Sequence, residues 1–552
     1  MIFFYYPLIL VSILGYGFFT SLKLINLKTN NFGYQGIVGI FTLLLISYTS
    51  SQFLAHNSIF NLIILIMGLI FFVRYFKRFN FSSKNKNLLI IIFILSIIFI
   101  LVGKNHDDFH YYHFPYILLL TEYPHPLGLG NLNHGFKTHS SIFLLSSLFH
   151  LPGAKYNLFH LAPAYFLIFS NFVFLKLIFK KKIIKDYFFI TLLSLSSFVF
   201  VNIFFYRLGE HGTDRSAMIL VILLFINLVY FINKKTNKID DNFLKLFAII
   251  FVLIISLKAL YLIYLILFIP LAFYVYKKTK SIRLFFNTNL LLCFILFTFV
   301  ISTNFFNTGC FLFPQKQTCF FQFSWSIPIE TVEYLRLHYE NWAKAGSGAG
   351  YENPIDKYEY ISNFNWVYNW IDKYFFNKVS DLILSLIFMA LVFFFLFKGT
   401  EFKKTIKRNY KFLYSTILLI SFIWFILHPS LRYGGYHLFF LITFIPLTLF
   451  LEKFTKKTVN LNKKLLTIVL ITILIFMGRN IVRLIKEYKV NSYKMINSVS
   501  YPINIESFEV QEKFKEIIKN NNLCKQKLNT CDEKMYKVNK IFKNKYIIHR
   551  SR

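Results

Sequence analysis

The sequence predicts an all-α protein, a polytopic transmembrane helix bundle of about fourteen spans with interfacial helices in its outer loops and a small tail outside the membrane. Three observations predict it. Apolar runs of bilayer-crossing length recur along the 552 residues, of which 56% are hydrophobic and only 16% charged, and the mean hydropathy is +0.53. Lys and Arg gather in short clusters between some of those runs, the positive-inside pattern. Clusters of another kind, rich in Asp, His, Gly and Arg, lie between the others.

In order, the runs fall near 2–22, 34–55, 58–76, 88–103, 156–179, 186–206, 214–233, 242–257, 259–276, 284–303, 379–398, 411–428, 436–452 and 464–479. The first lacks a basic leader and a small-residue cleavage site, so it reads as a span and not as a removable signal peptide. The segment 138–152 is too short and too polar at its start to span, and reads as a helix lying in the interface. The expected organisation is therefore extra N-terminal helices over 1–87 and a membrane module over 88–303 with an acidic first outer loop at 104–155. A large periplasmic loop over 304–378, C-terminal spans over 379–479 and a periplasmic tail over 480–552 follow.

The net charge of +36 does not indicate nucleic acid. The basic residues sit between spans, where topology and anionic membrane lipids account for them. Six basic clusters, near 74–86, 176–185, 234–238, 277–283, 398–408 and 453–464, share the cytoplasmic side only if 242–276 is a hairpin with its tip near Ser256-Leu-Lys258. A single helix over that stretch is the competing reading. With the hairpin, every other polar cluster faces one side, the periplasm of a bacterial inner membrane. The tail forms one amphipathic helix near Phe508–Ile518. Cysteine usage agrees with an oxidising side: Cys293 is inside an apolar run, while Cys310 with Cys319 and Cys524 with Cys531 are closely spaced pairs that read as two disulfides. A zinc site from those four is the alternative, without paired C-x-x-C spacing.

The stretch Lys104-Asn-His-Asp-Asp-Phe-His-Tyr-Tyr-His-Phe-Pro-Tyr116 carries the candidate chemistry. Asp107 and Asp108 stand among His106, His110 and His113 at the end of an apolar run. Ionisable residues at membrane depth or its edge are costly and mark function by default. Adjacent carboxylates serve as general base or as oxygen ligands of a divalent cation, Mg or Mn, and His110 and His113 share either task. Arg207, Arg215, Lys258 and Arg432, with Glu210 and His211 beside the first two, are the substrate-binding candidates. Cations held together at a helix end suit a phosphate at headgroup level, whereas snorkelling explains a lone one. No phosphate-binding loop or dinucleotide fingerprint occurs, so no nucleotide is expected.

An acidic pair in the first large outer loop, followed by interfacial helices, resembles the GT-C superfamily of membrane glycosyltransferases. A closer likeness is to an uncharacterised bacterial membrane-protein family of GT-C type, carried by Asp107-Asp-Phe-His-Tyr-Tyr-His-Phe-Pro115, Gly128-Leu-Gly-Asn131 with Ser140-Ser141, and Gly309-Cys-Phe-Leu-Phe-Pro314 with Thr318-Cys-Phe320. Asn341-Trp-Ala-Lys344 and Pro429-Ser-Leu-Arg-Tyr-Gly434 carry it too. The resemblance implies a polyprenyl-phosphate-linked sugar donor, a glycan or lipid acceptor on the outer face, and Asp107 or Asp108 as catalytic base or metal ligand. The three leading spans before residue 77 depart from the simpler GT-C layout. Two other classes fit a multispanning chain: a polysaccharide polymerase or ligase of O-antigen type, which would not need the acidic loop, and a transporter or flippase. Transporters keep polar groups near the bilayer midplane, whereas here they cluster at one interface.

Overall fold

The computed structural model describes the chain except residues 80, 102–107, 181–182, 184–186, 207–211, 234–239, 282–286, 347–355, 399–409, 452–459, 492–507, 527–537, 543–544 and 550–552. It is nearly all-helical. Among the described residues, nine helices are long and apolar enough to cross a membrane: Ile2–Leu24, Phe32–Ser51, Ser58–Phe76, Phe159–Phe179, Gly212–Asn233, Ala259–Thr279, Thr288–Thr308, Val367–Phe397 and Leu461–Lys489. This is the pattern of a multi-pass membrane protein. Helices also occupy the other expected stretches, at Ser83–Ile100, Phe188–Phe204, Asp241–Leu257, Lys411–Leu427 and Gly435–Phe450.

Local sequence sets where several of these helices begin. Asn31, Asn57, Ser82 and Asn287 stand just before their helices, and their side-chain oxygens accept backbone N–H groups of the first turn. Such caps satisfy donors that have no partner inside the helix. The first three helices pack through small residues. A β-carbon on Gly15 would lie 1.9 Å from the carbonyl oxygen of Gly68, so only glycine permits that approach. One continuous hydrophobic core then runs from Ile2 to Ile548, and joins these leading helices to the rest.

Residues 242–276 form a hairpin. The helix ends at Leu257, Lys258 is extended, and a 3-10 segment Ala259–Leu267 leads into Phe268–Thr279. Phe231 stacks on Phe243 at 4.0 Å and meets Tyr274 at 5.4 Å, while Phe268 lies against Phe247 and Phe251. Those pairings require the two arms to run antiparallel with the tip at Lys258. The same two-ended order holds elsewhere: the hydroxyl of Tyr410 donates to Asn233 at the foot of Gly212–Asn233, and Lys411–Leu427 runs back toward the end that holds Asp214.

Four expectations need correction. The segment Ser141–Ser147 is a helix with every residue buried, so it is enclosed by protein and is not an interfacial helix; Ser47 Oγ donates to the Leu144 carbonyl across it. The C-terminal part of the 304–378 loop is already helical from Val367, continuous with the following span. The last long helix extends to Asn491, past the expected boundary at 480. The tail adds two strands that no helical pattern foretold, Val538–Phe542 and Lys545–Ile548, paired antiparallel with Val538 opposite Ile548. The tail helix Glu509–Gln526 and these strands dock on the loop end, where Leu127 bridges Ile547, Lys515 pairs with Glu122 at 3.1 Å and His549 Nδ1 meets Ser324 Oγ at 2.7 Å.

Candidate active site

The site is built where four separated stretches meet at the loop end. The stretch 429–434 is an aromatic-clamped turn: the indoles of Trp370 and Trp424 donate to the carbonyls of Pro429 and Ser430, and the Leu431 N–H donates to Tyr374 at 2.8 Å. Gly434 takes φ +88°, a left-handed conformation that glycine tolerates, and its carbonyl accepts from Tyr264 at 2.6 Å. The clamp fixes Arg432 between two carboxylates. Its Nε donates to Asp214 Oδ2 at 2.8 Å, and its NH2 donates to Asp108 Oδ2 at 2.5 Å. Lys258 completes the group: extended backbone at the hairpin tip sends its ammonium to the other oxygen of Asp214 and over the Tyr433 ring.

Asp214 is the centre of this cluster. Its side chain is only 6% exposed, against 24% for Lys258, 25% for Asp108 and 35% for Arg432. Tyr261 adds a hydrogen bond from its hydroxyl to the Asp214 carbonyl. Burial works against the charge on both cations. At Arg432 the neighbouring Asp214, Tyr112 and Asp108 outweigh it and hold the guanidinium protonated. At Lys258 burial wins, and the ammonium sits below the usual lysine value despite Asp214.

Asp108, Lys258 and Arg432 line a single cavity of about 790 Å³. Its wall carries four strong cations, Lys137, Lys258, Arg336 and Arg432, and among the described residues one carboxylate, Asp108. That balance suits an anionic ligand. The wall formed by Leu260, Leu262, Ile263, Ile266, Ile423 and Leu427 is apolar. Leu427 is itself largely exposed, as are Leu265 and Phe422 next in sequence to Ile266 and Ile423, so this wall reaches the exterior of the bundle.

Residues 1–440 match the model of a family described as a domain of unknown function, DUF8201. The chain belongs to that family. No curated protein and no solved structure matches it. The DUF8201 region contains all four members of the charged cluster, whereas the docked tail lies beyond it.

The other sequence candidates divide into three groups. Asp107, Arg207, Glu210, His211 and Cys531 lie outside the described residues. His110, His113 and Arg215 are not on the cavity wall. The His113 ring packs between Tyr112 and Phe143 at 4.4 and 5.0 Å, and the Arg215 guanidinium lies over Phe205. The helical turn that follows Asp108 places the His113 ring in the core, among aromatic side chains. Cys310 and Cys319 are joined by a disulfide that closes the start of the 304–378 loop beside the cavity wall at Leu312–Gln315.

A divalent cation fits the described donors poorly. Both oxygens of Asp214 and one of Asp108 face Lys258 or Arg432, and no group of three or more His, Cys, Asp or Glu converges among the described residues. Sequence reasoning passed over Asp214 itself. The available signal was a lone carboxylate, next to Arg215, opening a helix that runs on at membrane-span length with no further charge.

Proposed function

We propose that the protein is an integral membrane glycosyltransferase of GT-C type, with fourteen spans in a bacterial inner membrane. It moves a sugar from a polyprenyl-phosphate donor to a cell-envelope glycan or lipid acceptor at the periplasmic face. One observation carries this reading. The cavity joins two of its cations, Lys258 and Arg432, to an apolar wall that reaches the exterior of the bundle. A lipid-linked phosphate has the matching shape, a charged head and a long apolar tail.

The chemistry follows from the placement of the four charges. Donor phosphate enters beside Lys258 and Arg432 and competes with Asp108 for the guanidinium. Asp108, released toward the cavity, takes the proton of the acceptor hydroxyl. The acceptor oxygen forms its bond to the anomeric carbon while the bond from that carbon to the phosphate oxygen breaks. The electron pair leaves with the lipid phosphate, whose growing charge Lys258 and Arg432 stabilise. Asp214 touches no substrate in this scheme and is a positioning residue for both cations.

The test is transfer by the purified protein in nanodiscs, with glycan analysis of a deletion strain complemented by variants. Asp108→Asn is near-isosteric and lies on the cavity wall. It should insert normally and lose transfer by ~10²–10⁴-fold, as expected for a general base. Full activity in Asp108→Asn and in its double mutant with Asp107→Asn would move the polymerase-or-ligase reading ahead, with Arg432 at its centre.

A further inference from the structure

The cavity holds a second group of cations that the proposed transfer does not use. The short 3-10 turn His134–Lys137 is fixed at both ends: Asn133 caps it through the Gly135 N–H at 2.7 Å, and Asn307 donates to the Phe136 carbonyl. Phe136 is fully buried, so the turn is held as part of the core. From it Lys137 and His134 reach the cavity wall, where the helix Ile329–Lys344 brings Arg336, His338 and Tyr339. Tyr339 and His134 are hydrogen-bonded at 3.3 Å, which ties the two elements together.

The two charged groups differ in their balance. Lys258 feels Asp214, Arg432 and Asp108, carboxylates included. His134, after burial, feels Lys137 and His338, which are both basic. Arg336 has Glu340 at 3.5 Å, but Glu340 also holds Lys344 at 2.7 Å. Lys137 has no carboxylate partner among the described residues, although it is half-buried and its ammonium is pushed below the usual lysine value by that burial. A partly desolvated ammonium without a counter-charge is costly unless an anion is supplied. Its backbone is already rigid, so an anion would meet a preorganised donor.

We propose that Lys137, together with His134 and His338, forms a second anion subsite that takes the carboxylate or phosphate of a negatively charged sugar in the acceptor. This rests on the transferase reading, and it adds the class of acceptor to it. Tyr111, Tyr339 and Trp342 line the cavity beside the subsite and offer ring faces to a sugar. Arg432 and Lys258 keep the donor phosphate, so the two anions of the reaction are held by separate elements.

The experiment measures binding to the full chain in nanodiscs. The probes are a glucuronate-containing tetrasaccharide, a phosphate-bearing tetrasaccharide, the neutral glucose counterpart, and a polyprenyl monophosphate. Wild type should bind at least one acidic tetrasaccharide about tenfold more tightly than the neutral one, the scale of one charge-assisted contact. Lys137→Gln should abolish that preference and leave the polyprenyl phosphate affinity unchanged, while Lys137→Arg keeps it. Melting temperatures of both variants check folding, and Lys137→Arg keeps the test valid if Lys137→Gln unfolds. Equal binding of acidic and neutral sugars by wild type overturns the subsite while polyprenyl phosphate binding leaves the transferase reading standing. Loss of polyprenyl phosphate binding in Lys137→Gln gives these cations to the donor and overturns it as well. Failure of wild type to bind polyprenyl phosphate at all removes the transferase reading and this inference with it.

Discussion

Around Tyr116 and around Asp214 the chain buries two polar clusters at the same end of the bundle, and they are built in opposite ways. The Tyr116 hydroxyl meets His125 Nε2 at 3.0 Å and His139 Nδ1 at 3.2 Å and accepts from Asn307 at 3.1 Å, while His139 Nε2 meets Tyr48 at 2.7 Å. All of these side chains are buried, and none of the group carries a formal charge when its histidines are neutral. Around Asp214 two carboxylates and two cations are paired, and three of the four reach a cavity. A neutral network, which touches the cavity only at His139, holds its elements together through mutual hydrogen bonds. A charged one open on one side keeps groups that a ligand can recruit. His125 and His139 belong to the first kind of cluster, and Asp108, Asp214, Lys258 and Arg432 to the second.

The largest effect should come from removing the shared anion. Asp214→Ala leaves Lys258 and Arg432 without their common counter-charge, and breaking a buried pair in this way costs about 3–5 kcal/mol. A drop in melting temperature in detergent larger than that of any single histidine variant is the expected outcome. A variant as stable as wild type would mean that the cations re-pair or reach solvent, and that Asp214 does not anchor the site.

Buried neutral histidines, His139 of the neutral network among them, should show themselves through pH. Burial lowers His56 and His139 to about 3 and His428 to about 4. Their folded values lie below the unfolded value near 6.5, so the unfolded chain takes up protons first as pH falls. Their contribution to stability is therefore complete above about pH 6.5 and declines below it, by about 1.4 kcal/mol per pH unit for each histidine. Melting curves between pH 7 and 5 should show that decline, and His139→Phe should make the slope shallower by one histidine. The same variant should cost about 1–3 kcal/mol at pH 7, because it strips the Tyr48 hydroxyl of its partner. A slope unchanged by His139→Phe would place His139 in contact with water.

The smallest effect is expected at His113. Its ring packs among aromatic side chains and does not line the cavity, so His113→Phe should cost under about 1.5 kcal/mol as a volume-conserving swap and leave transfer near the wild-type rate. A large loss of transfer without loss of stability would return His113 to the chemistry and blur the contrast between the two clusters.

Much of the architecture was legible along the chain, because the signal is local. A helix in a membrane must satisfy its backbone internally and present apolar side chains, so spans can be read from runs such as 58–76 and 284–303. The hairpin tip at Lys258 followed from where the basic clusters lie. Asp108, Lys258 and Arg432 could be singled out for the same reason, as charges beside apolar runs. Histidine was the ambiguous residue type, since a neutral imidazole is equally at home in a buried hydrogen-bond network and in a site. Ser141–Ser147 misled in a similar way: its composition suits an interface, and only packing against Phe32–Ser51 and Phe114–Glu122 shows that protein covers it.

By itself, then, the sequence determined the helical class, the membrane-length runs and the few charged residues that had to be accounted for, because apolar length and isolated charge are properties of a single stretch. Only the tertiary structure decided which charges meet. Asp214 and Arg432 are 218 residues apart, and Asp108 and Arg432 are 324 apart. Nothing in the neighbourhood of either residue along the chain encodes its partner. The pairing depends on how the hairpin at Lys258, the first turn of Gly212–Asn233 and the clamped turn at 429–434 pack at one end of the bundle. That packing turns four costly charges into one compensated cluster and leaves Lys137, on the same cavity wall, without a carboxylate among the described residues.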